Sequence, residues 1–279
     1  MPSPERSETL LKALNRFSVI VVTGGSSGIG CSFIKATRKL NPDAVLCNLS
    51  RSEPQVFLGE KGHHLTTDLS NPQSLRVAVE KLLAILTKAP AGELLLINNS
   101  GFGDYGPFQD RDFSKHLNMI DLNIRAVVDL SARLLPTLLD RGGAIMNIAS
   151  TASFQPTPFL ATYGATKAFV LNWTLALNED LRETRVRALA ICPGPTRSNF
   201  FKRAGFSTPP MRGGRVNAAF DMSSEEVVTL SFEALAGGKV IVVTGWKNKC
   251  IAFFGSKIPR AYVTRIGGAI LRKMRFGAK

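Results

Sequence analysis

The chain has 279 residues, 44% of them hydrophobic and 20% charged, a balance that supplies a full core and excludes an unstructured polyelectrolyte. Its four cysteines, Cys31, Cys47, Cys192 and Cys250, form no CxxC pair, which argues against a disulfide framework or zinc site and for a reducing, cytoplasmic location. The formal net charge of +14 sits in two late stretches: seven Lys/Arg and no acid from Thr184 to Phe220, and ten with no acid from Lys239 onward. Such stretches are usually solvated faces, but they also attract anionic ligands or membrane surfaces.

In chain order, residues 1–17 read as a polar leader with a weak helical patch at Leu10, Leu11 and Leu14. They carry no apolar run of the kind a secretory signal has. Ser18–Val22 is a strand, followed by a Gly/Ser-rich turn and a helix from about Gly28 to Leu40. Ala44–Leu49 and Gly62–Thr66 are the second and third strands. No carboxylate or cysteine stands at ligand spacing from His63 and His64, so no metal is expected there. A helix opens at Asn71-Pro72 and runs through Leu86, and Glu93–Ile97 is a fourth strand. One long helix spans about Phe113 to Leu139. Ala144–Ile148, a helix from Tyr163 to about Arg182, and strands at Val186–Ile191 and Lys239–Val243 complete the series. Short, continuously apolar strands separated by helices predict an α/β fold, a Rossmann-like doubly wound parallel sheet covered on both faces. No linker or repeat divides it, so 18–245 reads as a single domain. No run of about 18 apolar residues suggests a spanning helix.

Thr23-Gly24-Gly25-Ser26-Ser27-Gly28-Ile29-Gly30 lies between the first strand and its helix. That is the context a dinucleotide-binding turn requires. Glycine lets the backbone approach a pyrophosphate closely, and the helix N-terminus offers free N–H groups to it. The end of the second strand reads Asn48-Leu49-Ser50-Arg51-Ser52. There is no acid to accept from a ribose 2′-hydroxyl, and Arg51 can fork onto a 2′-phosphate, which points to NADP(H).

The TGxxxGxG spacing resembles the short-chain dehydrogenase/reductase family, and further motifs follow in that family's order. Asp68-Leu69 stands after the third strand, and Asn98-Asn99-Ser100-Gly101 resembles the family's NNAG with Ser in place of Ala. Asn123 matches the helix asparagine of the catalytic tetrad. Ser150 precedes Tyr163 by thirteen residues, Tyr163-Gly164-Ala165-Thr166-Lys167 is YxxxK, and Pro193-Gly194 follows the sixth strand. The resemblance covers about 18–245. It implies a cofactor site of Gly24, Ser26, Ser27, Gly28, Ile29, Gly30, Arg51, Asp68, Leu69, Asn99, Gly101, Tyr163, Lys167, Pro193, Gly194 and Thr196. It implies a catalytic group of Asn123, Ser150, Tyr163 and Lys167.

Hydride transfer to a carbonyl builds negative charge on oxygen, which must be met by a proton. A free phenol titrates near pH 10, a poor match to neutral conditions. Lys167, four residues on, shares a helix face with Tyr163 and favours the tyrosinate. By the resemblance, Tyr163 is the proton donor in reduction, Ser150 holds the substrate oxygen, Lys167 also holds the nicotinamide ribose, and Asn123 positions a relay water.

Residues 195–221 are expected to form a substrate lid, with Phe200, Phe201, Phe206 and Met211 among Arg197, Lys202, Arg203, Arg212 and Arg215. Residues 246–279 read as a basic amphipathic extension. Ile258, Tyr262, Val263, Ile266, Ile270 and Met274 lie on one side of a helical wheel. That face either packs on its own domain or a partner subunit, or lies on an anionic membrane. The partners expected are a small carbonyl or alcohol substrate and a second copy, as homodimer or homotetramer, with no nucleic acid. Two other functions fit less of the sequence: a membrane-associated reductase of lipid ketones, and a non-catalytic NADP(H)-binding regulator. The regulator would need the glycine turn but no Ser150, Tyr163 or Lys167.

Overall fold

A strand covered on both faces must be apolar at nearly every position, and β1 (Phe17–Thr23) is: six of its seven residues are buried. The computed structural model describes residues 4–197, 200, 204 and 222–276. β1 is an interior strand of a seven-stranded sheet with β2 (Val45–Ser50), β3 (Gly62–Thr66), β4 (Glu93–Asn98), β5 (Gly143–Ile148), β6 (Val186–Cys192) and β7 (Ile241–Val243). All pairings are parallel, in the order β3-β2-β1-β4-β5-β6-β7. Strand order therefore reverses between β1 and β4. In such sheets a ligand crevice opens at that switch point, beyond the carboxyl ends of the strands.

Alternate residues of β1 divide the core. Val19 and Val21 face α3 (Pro72–Leu86) and α5 (Ala126–Arg141). Phe17, Ile20 and Val22 face the layer of α2 (Gly28–Leu40) and α7 (Ser224–Ala236). There Phe33 and Phe232 meet edge to face, with ring centroids 5.3 Å apart.

The predicted strands are all present, but three helical features differ from the sequence reading. Within the expected leader the described residues up to Asn15 are helical and packed on the domain. Pro4–Asn15 forms α1, which packs against α2 and α7 and buries Leu10 and Leu14 in the same core as Phe17. The long helix from Phe113 is interrupted: α4 (Phe113–Ile120) passes through a π-helical turn, Asp121–Arg125, into α5. Finally, the C-terminal extension is two helices, α8 (Trp246–Lys257) and α9 (Arg260–Phe276). Between β5 and β6, α6 (Ala161–Asp180) begins two residues before Tyr163.

Of the expected lid, only 195–197, Phe200 and Ala204 lie within the described residues. Phe201, Lys202, Arg203, Phe206, Met211, Arg212 and Arg215 lie outside them.

The placement of α1 is open to a stability measurement. Leu14 is completely buried. Leu14→Ala should lower unfolding free energy by about 2–5 kcal/mol, as other buried Leu→Ala changes do. A loss under about 0.5 kcal/mol in denaturant titration, the range of surface substitutions, would detach α1 from the core.

Candidate active site

The crevice at the switch point is built from the turn outward. Gly24 has φ of 71°, and a Cβ there would lie 2.7 Å from Ser100 Oγ. At Gly30 a Cβ would lie 2.3 Å from the Gly24 carbonyl oxygen, so only glycine lets α2 start this close to the turn. Two strands brace the loop. From β4, the backbone N–H groups of Asn99 and Ser100 both donate to Thr23 Oγ1 at 2.9 Å, and Asn99 Nδ2 donates to the Thr23 carbonyl at 2.9 Å. From β2, Asn48 Oδ1 accepts from Gly25 N at 2.9 Å, while its Nδ2 donates to Ser50 Oγ at 2.9 Å. Ser27 occupies the N-cap of α2 but makes no side-chain capping bond. The first N–H groups and positive dipole end of α2 are thus suited to take a phosphate.

The remaining residues expected at a cofactor site divide by role. Arg51 is exposed at the end of β2, and its guanidinium has no ion-pair partner among the described residues. Asp68 Oδ1 accepts from both the backbone and the hydroxyl of Ser70, at 3.0 and 2.7 Å. Leu69 is buried and Ile29 is partly buried against the core. The Asn99 side chain is engaged by the turn. Pro193 O accepts from Thr151 N at 2.9 Å, which ties β6 to the segment after Ser150. Gly194 lies against the amide of Asn248, and Thr196 Oγ1 donates back to Gly194 O at 3.0 Å.

Asn123, Ser150, Tyr163 and Lys167 converge beyond the ends of β4 and β5. Ser150 is the second residue after β5 ends, and its hydroxyl accepts from Ala152 N at 3.1 Å. Burial pushes the Tyr163 phenol up to about 12, opposed by a hydrogen bond with the Ser150 side chain. Burial also pulls the Lys167 ammonium down to about 8. Lys167 Nζ donates to the Ile148 carbonyl at 2.7 Å and stands 5.9 Å from the centre of the Tyr163 ring. Asn123 lies in the π-helical turn and is completely buried. Its Nδ2 donates to Phe102 O and Thr166 Oγ1, both at 3.0 Å, and its Oδ1 accepts from Phe102 N at 3.2 Å. The side chain therefore clamps the turn to α6. A Cβ on Gly101 would lie 3.0 Å from Asn123 Oδ1 and 3.3 Å from Lys167 Nζ, so the absence of a side chain there keeps the path to both groups clear.

Several contributors were not legible as site residues. Thr23, Asn48 and Thr166 carry the braces just described. Phe200 packs on the Tyr163 ring, centroids 5.2 Å apart, and a Cβ on Gly103 would meet Phe200 at 2.8 Å. Tyr105 N donates to Ala204 O at 2.8 Å, and Gly106 N donates to Phe159 O at 2.9 Å. Phe159 holds φ of 62°, an unusual conformation for a bulky residue, beside the Tyr105 ring. Phe200 thus gives the phenol ring an apolar cover, and Tyr105 and Phe159 pack on each other in the loops bonded to its segment.

The family model for the short chain dehydrogenase matches residues 18–206. The ketoacyl reductase HetN of Nostoc sp. is 29% identical over 225 residues, 75% of this chain and 77% of that protein. Sulfoacetaldehyde reductase 2 of Chromohalobacter salexigens is 29% identical over 191 residues, 65% of this chain and 74% of that one. A short-chain dehydrogenase from Sphingobium yanoikuyae, solved in complex with NADPH, superposes with a TM-score of 0.67 at 26% identity. That superposition covers 92% of this chain and 95% of the other.

The buried ammonium predicts a pH signature. An unfolded lysine keeps its proton to about 10.5, whereas folded Lys167 loses it near 8. Between those values the unfolded chain binds more protons, so this residue's contribution to stability improves as pH rises. Lys167→Met should therefore be more stable than the wild type at neutral pH. Its advantage in melting temperature should shrink from about pH 8 to about pH 10. An advantage that is absent, or constant across that window, would mean the lysine is not buried as a cation.

Proposed function

The chain belongs to the short-chain dehydrogenase family, and from that premise we propose that it is an NADPH-dependent carbonyl reductase with Tyr163 as its proton donor. The observation that carries the reading is the buried Tyr163 phenol set beside the Ser150 side chain, with the buried Lys167 ammonium 5.9 Å from the ring centre. The glycine turn, the uncapped start of α2 and the cradle at Gly101 fit a dinucleotide. Arg51, with no acid at the end of β2, favours a 2′-phosphate, and the Sphingobium structure contains NADPH.

Held by the glycine turn, Arg51 and Lys167, NADPH would supply the hydride, and its oxidised form would bring a positive charge to the crevice. The chain's own residues do the rest. A carbonyl oxygen seated between Ser150 and Tyr163 receives a hydrogen bond from the serine and the proton from the phenol. In the reverse direction the tyrosinate accepts the alcohol proton. Burial holds the phenol neutral in the free protein, and positive charge from Lys167 favours its ionisation during turnover. Asn123 is a positioning residue: both N–H bonds of its amide are donated, to Phe102 O and Thr166 Oγ1, and its Oδ1 accepts from Phe102 N. The apolar cover that Phe200 gives the phenol suits a ketone with a hydrocarbon substituent. HetN, a ketoacyl reductase by name, is consistent with that class.

Two substitutions test the assignment. Tyr163→Phe should lower turnover at least about a hundredfold, the scale of one general-acid contribution, while the dissociation constant for NADPH stays nearly unchanged. A variant that keeps most of its activity removes Tyr163 from the chemistry. Arg51→Asp should weaken NADPH binding about tenfold or more and leave NADH binding less affected, because one charge-assisted phosphate contact is lost. If the wild type binds both nucleotides equally, the NADP(H) assignment is wrong.

A further inference from the structure

We propose that α8 and α9 form a docking surface for an anionic lipid bilayer. The inference is independent of the catalytic reading, because it rests on the far C-terminal helices and not on the crevice. It begins with which side of each helix meets the domain. On α8 the buried residues are Asn248, Ala252 and Gly255, and Gly255 lies against the Gln155 side chain. On α9 Gly268 is buried and sits over Pro158. Helical spacing puts Tyr262, Ile266 and Ile270 on nearly the opposite side of α9 from Gly268. The apolar stripe is thus not what attaches α9 to the domain: Ile266 is 57% exposed and Ile270 54%. Trp246, Phe253 and Phe254 on α8 are also more than half exposed. Between the helices runs an apolar groove of about 500 Å³ lined by Trp246, Phe254, Ile258, Ile266 and Ile270, with Gln155 on its wall. So large an apolar surface needs an occupant.

Charge selects which one. From Lys239 onward the chain has ten cations and no acid. A second copy seated symmetrically on this face would oppose that all-cationic surface to itself, with no carboxylate of either tail to neutralise it. An anionic bilayer satisfies both properties together. The aliphatic and aromatic side chains enter the headgroup boundary, Trp246 and Tyr262 suit its depth, and the exposed Lys249, Lys257, Arg260 and Arg265 reach lipid phosphates. Among the described residues no helix is long and apolar enough to cross a membrane, so the contact is peripheral. The groove reaches Gln155, five residues after Ser150, which sets this surface beside the active-site loop.

The test uses the full-length protein and sedimentation with vesicles. One set is pure phosphatidylcholine and the other contains about one third phosphatidylglycerol, both at low salt. The protein should pellet with the anionic vesicles, not the neutral ones, and be released by about 0.5 M NaCl. The exposed-charge variant Lys249→Gln/Lys257→Gln/Arg265→Gln should bind about a hundredfold more weakly, roughly fivefold per cation. Ile266→Ser/Ile270→Ser should also lose binding while its melting temperature holds, since both side chains are exposed. Failure of the wild type to bind anionic vesicles at low salt overturns the proposal, as does equal binding to both compositions. So does a wild-type dimer, seen by analytical ultracentrifugation, that dissociates in Ile266→Ser/Ile270→Ser without any lipid dependence. The wild-type lipid comparison needs no variant, so a variant that misfolds leaves the decision intact.

Discussion

The site depends on keeping one lysine charged where charge is disfavoured. Lys167 is almost wholly buried, and burial draws its ammonium down to about 8. Desolvating a cation is costly unless polar groups replace its water, and here the Ile148 carbonyl at the end of β5 does so. The same burial makes the lysine useful. In a site with little water its field reaches the Tyr163 phenol with less screening than at a surface. Much of the surrounding structure follows from fitting that ammonium: glycine at position 101, the π-helical turn that brings Asn123 close, and the Asn123–Thr166 hydrogen bond locking that turn to α6.

Behind the reacting groups lies a buried polar chain that ties the sheet to its helices. Asn98 Nδ2 donates to Asn147 Oδ1 and Ser131 Oγ, and Asn147 Nδ2 donates to Thr174 Oγ1, all within 3.0 Å. These bonds join β4, β5, α5 and α6 directly beneath the crevice. A polar group left unpaired in that core would cost about 1–3 kcal/mol, so the chain fixes one arrangement of strand ends and helix. The crevice floor is therefore rigid, while the apolar cover over the phenol comes from Phe200.

The sheet was legible because parallel strands covered on both faces are uninterrupted apolar runs, as in Leu94-Leu95-Leu96-Ile97. The residues that converge in the crevice stood out because the proposed chemistry demands residue types at set intervals, such as Tyr163 and Lys167 one helical turn apart. What escaped has physical reasons. The π-helical turn at Asp121–Arg125 is selected by a partner, Thr166, that is distant in sequence. Asn48 reads as a polar end to an apolar strand until its amide is seen holding Gly25. Among its described side chains α1 buries Leu10 and Leu14, too weak a stripe in sequence to distinguish a packed helix from a leader. The start of α7 carries a legible signal, the capping box formed by Ser223 and Glu226. For α9 the helical wheel identifies an apolar face without saying what it meets. The structure separates that face from the side that touches Pro158.

The central claim is electrostatic: a phenol held neutral by burial becomes acidic only when positive charge gathers around it. The chain has three tyrosines, Tyr105, Tyr163 and Tyr262, so carbon-13 labelling of the tyrosine rings can follow each ionisation by NMR. In the free protein the Tyr163 resonance should stay protonated through the alkaline range, consistent with a phenol pushed up to about 12. With saturating NADP+ it should titrate several pH units lower, and Lys167→Met should remove much of that shift. A Tyr163 signal already ionised near neutrality in the free protein, or one that NADP+ leaves unmoved, would contradict the account.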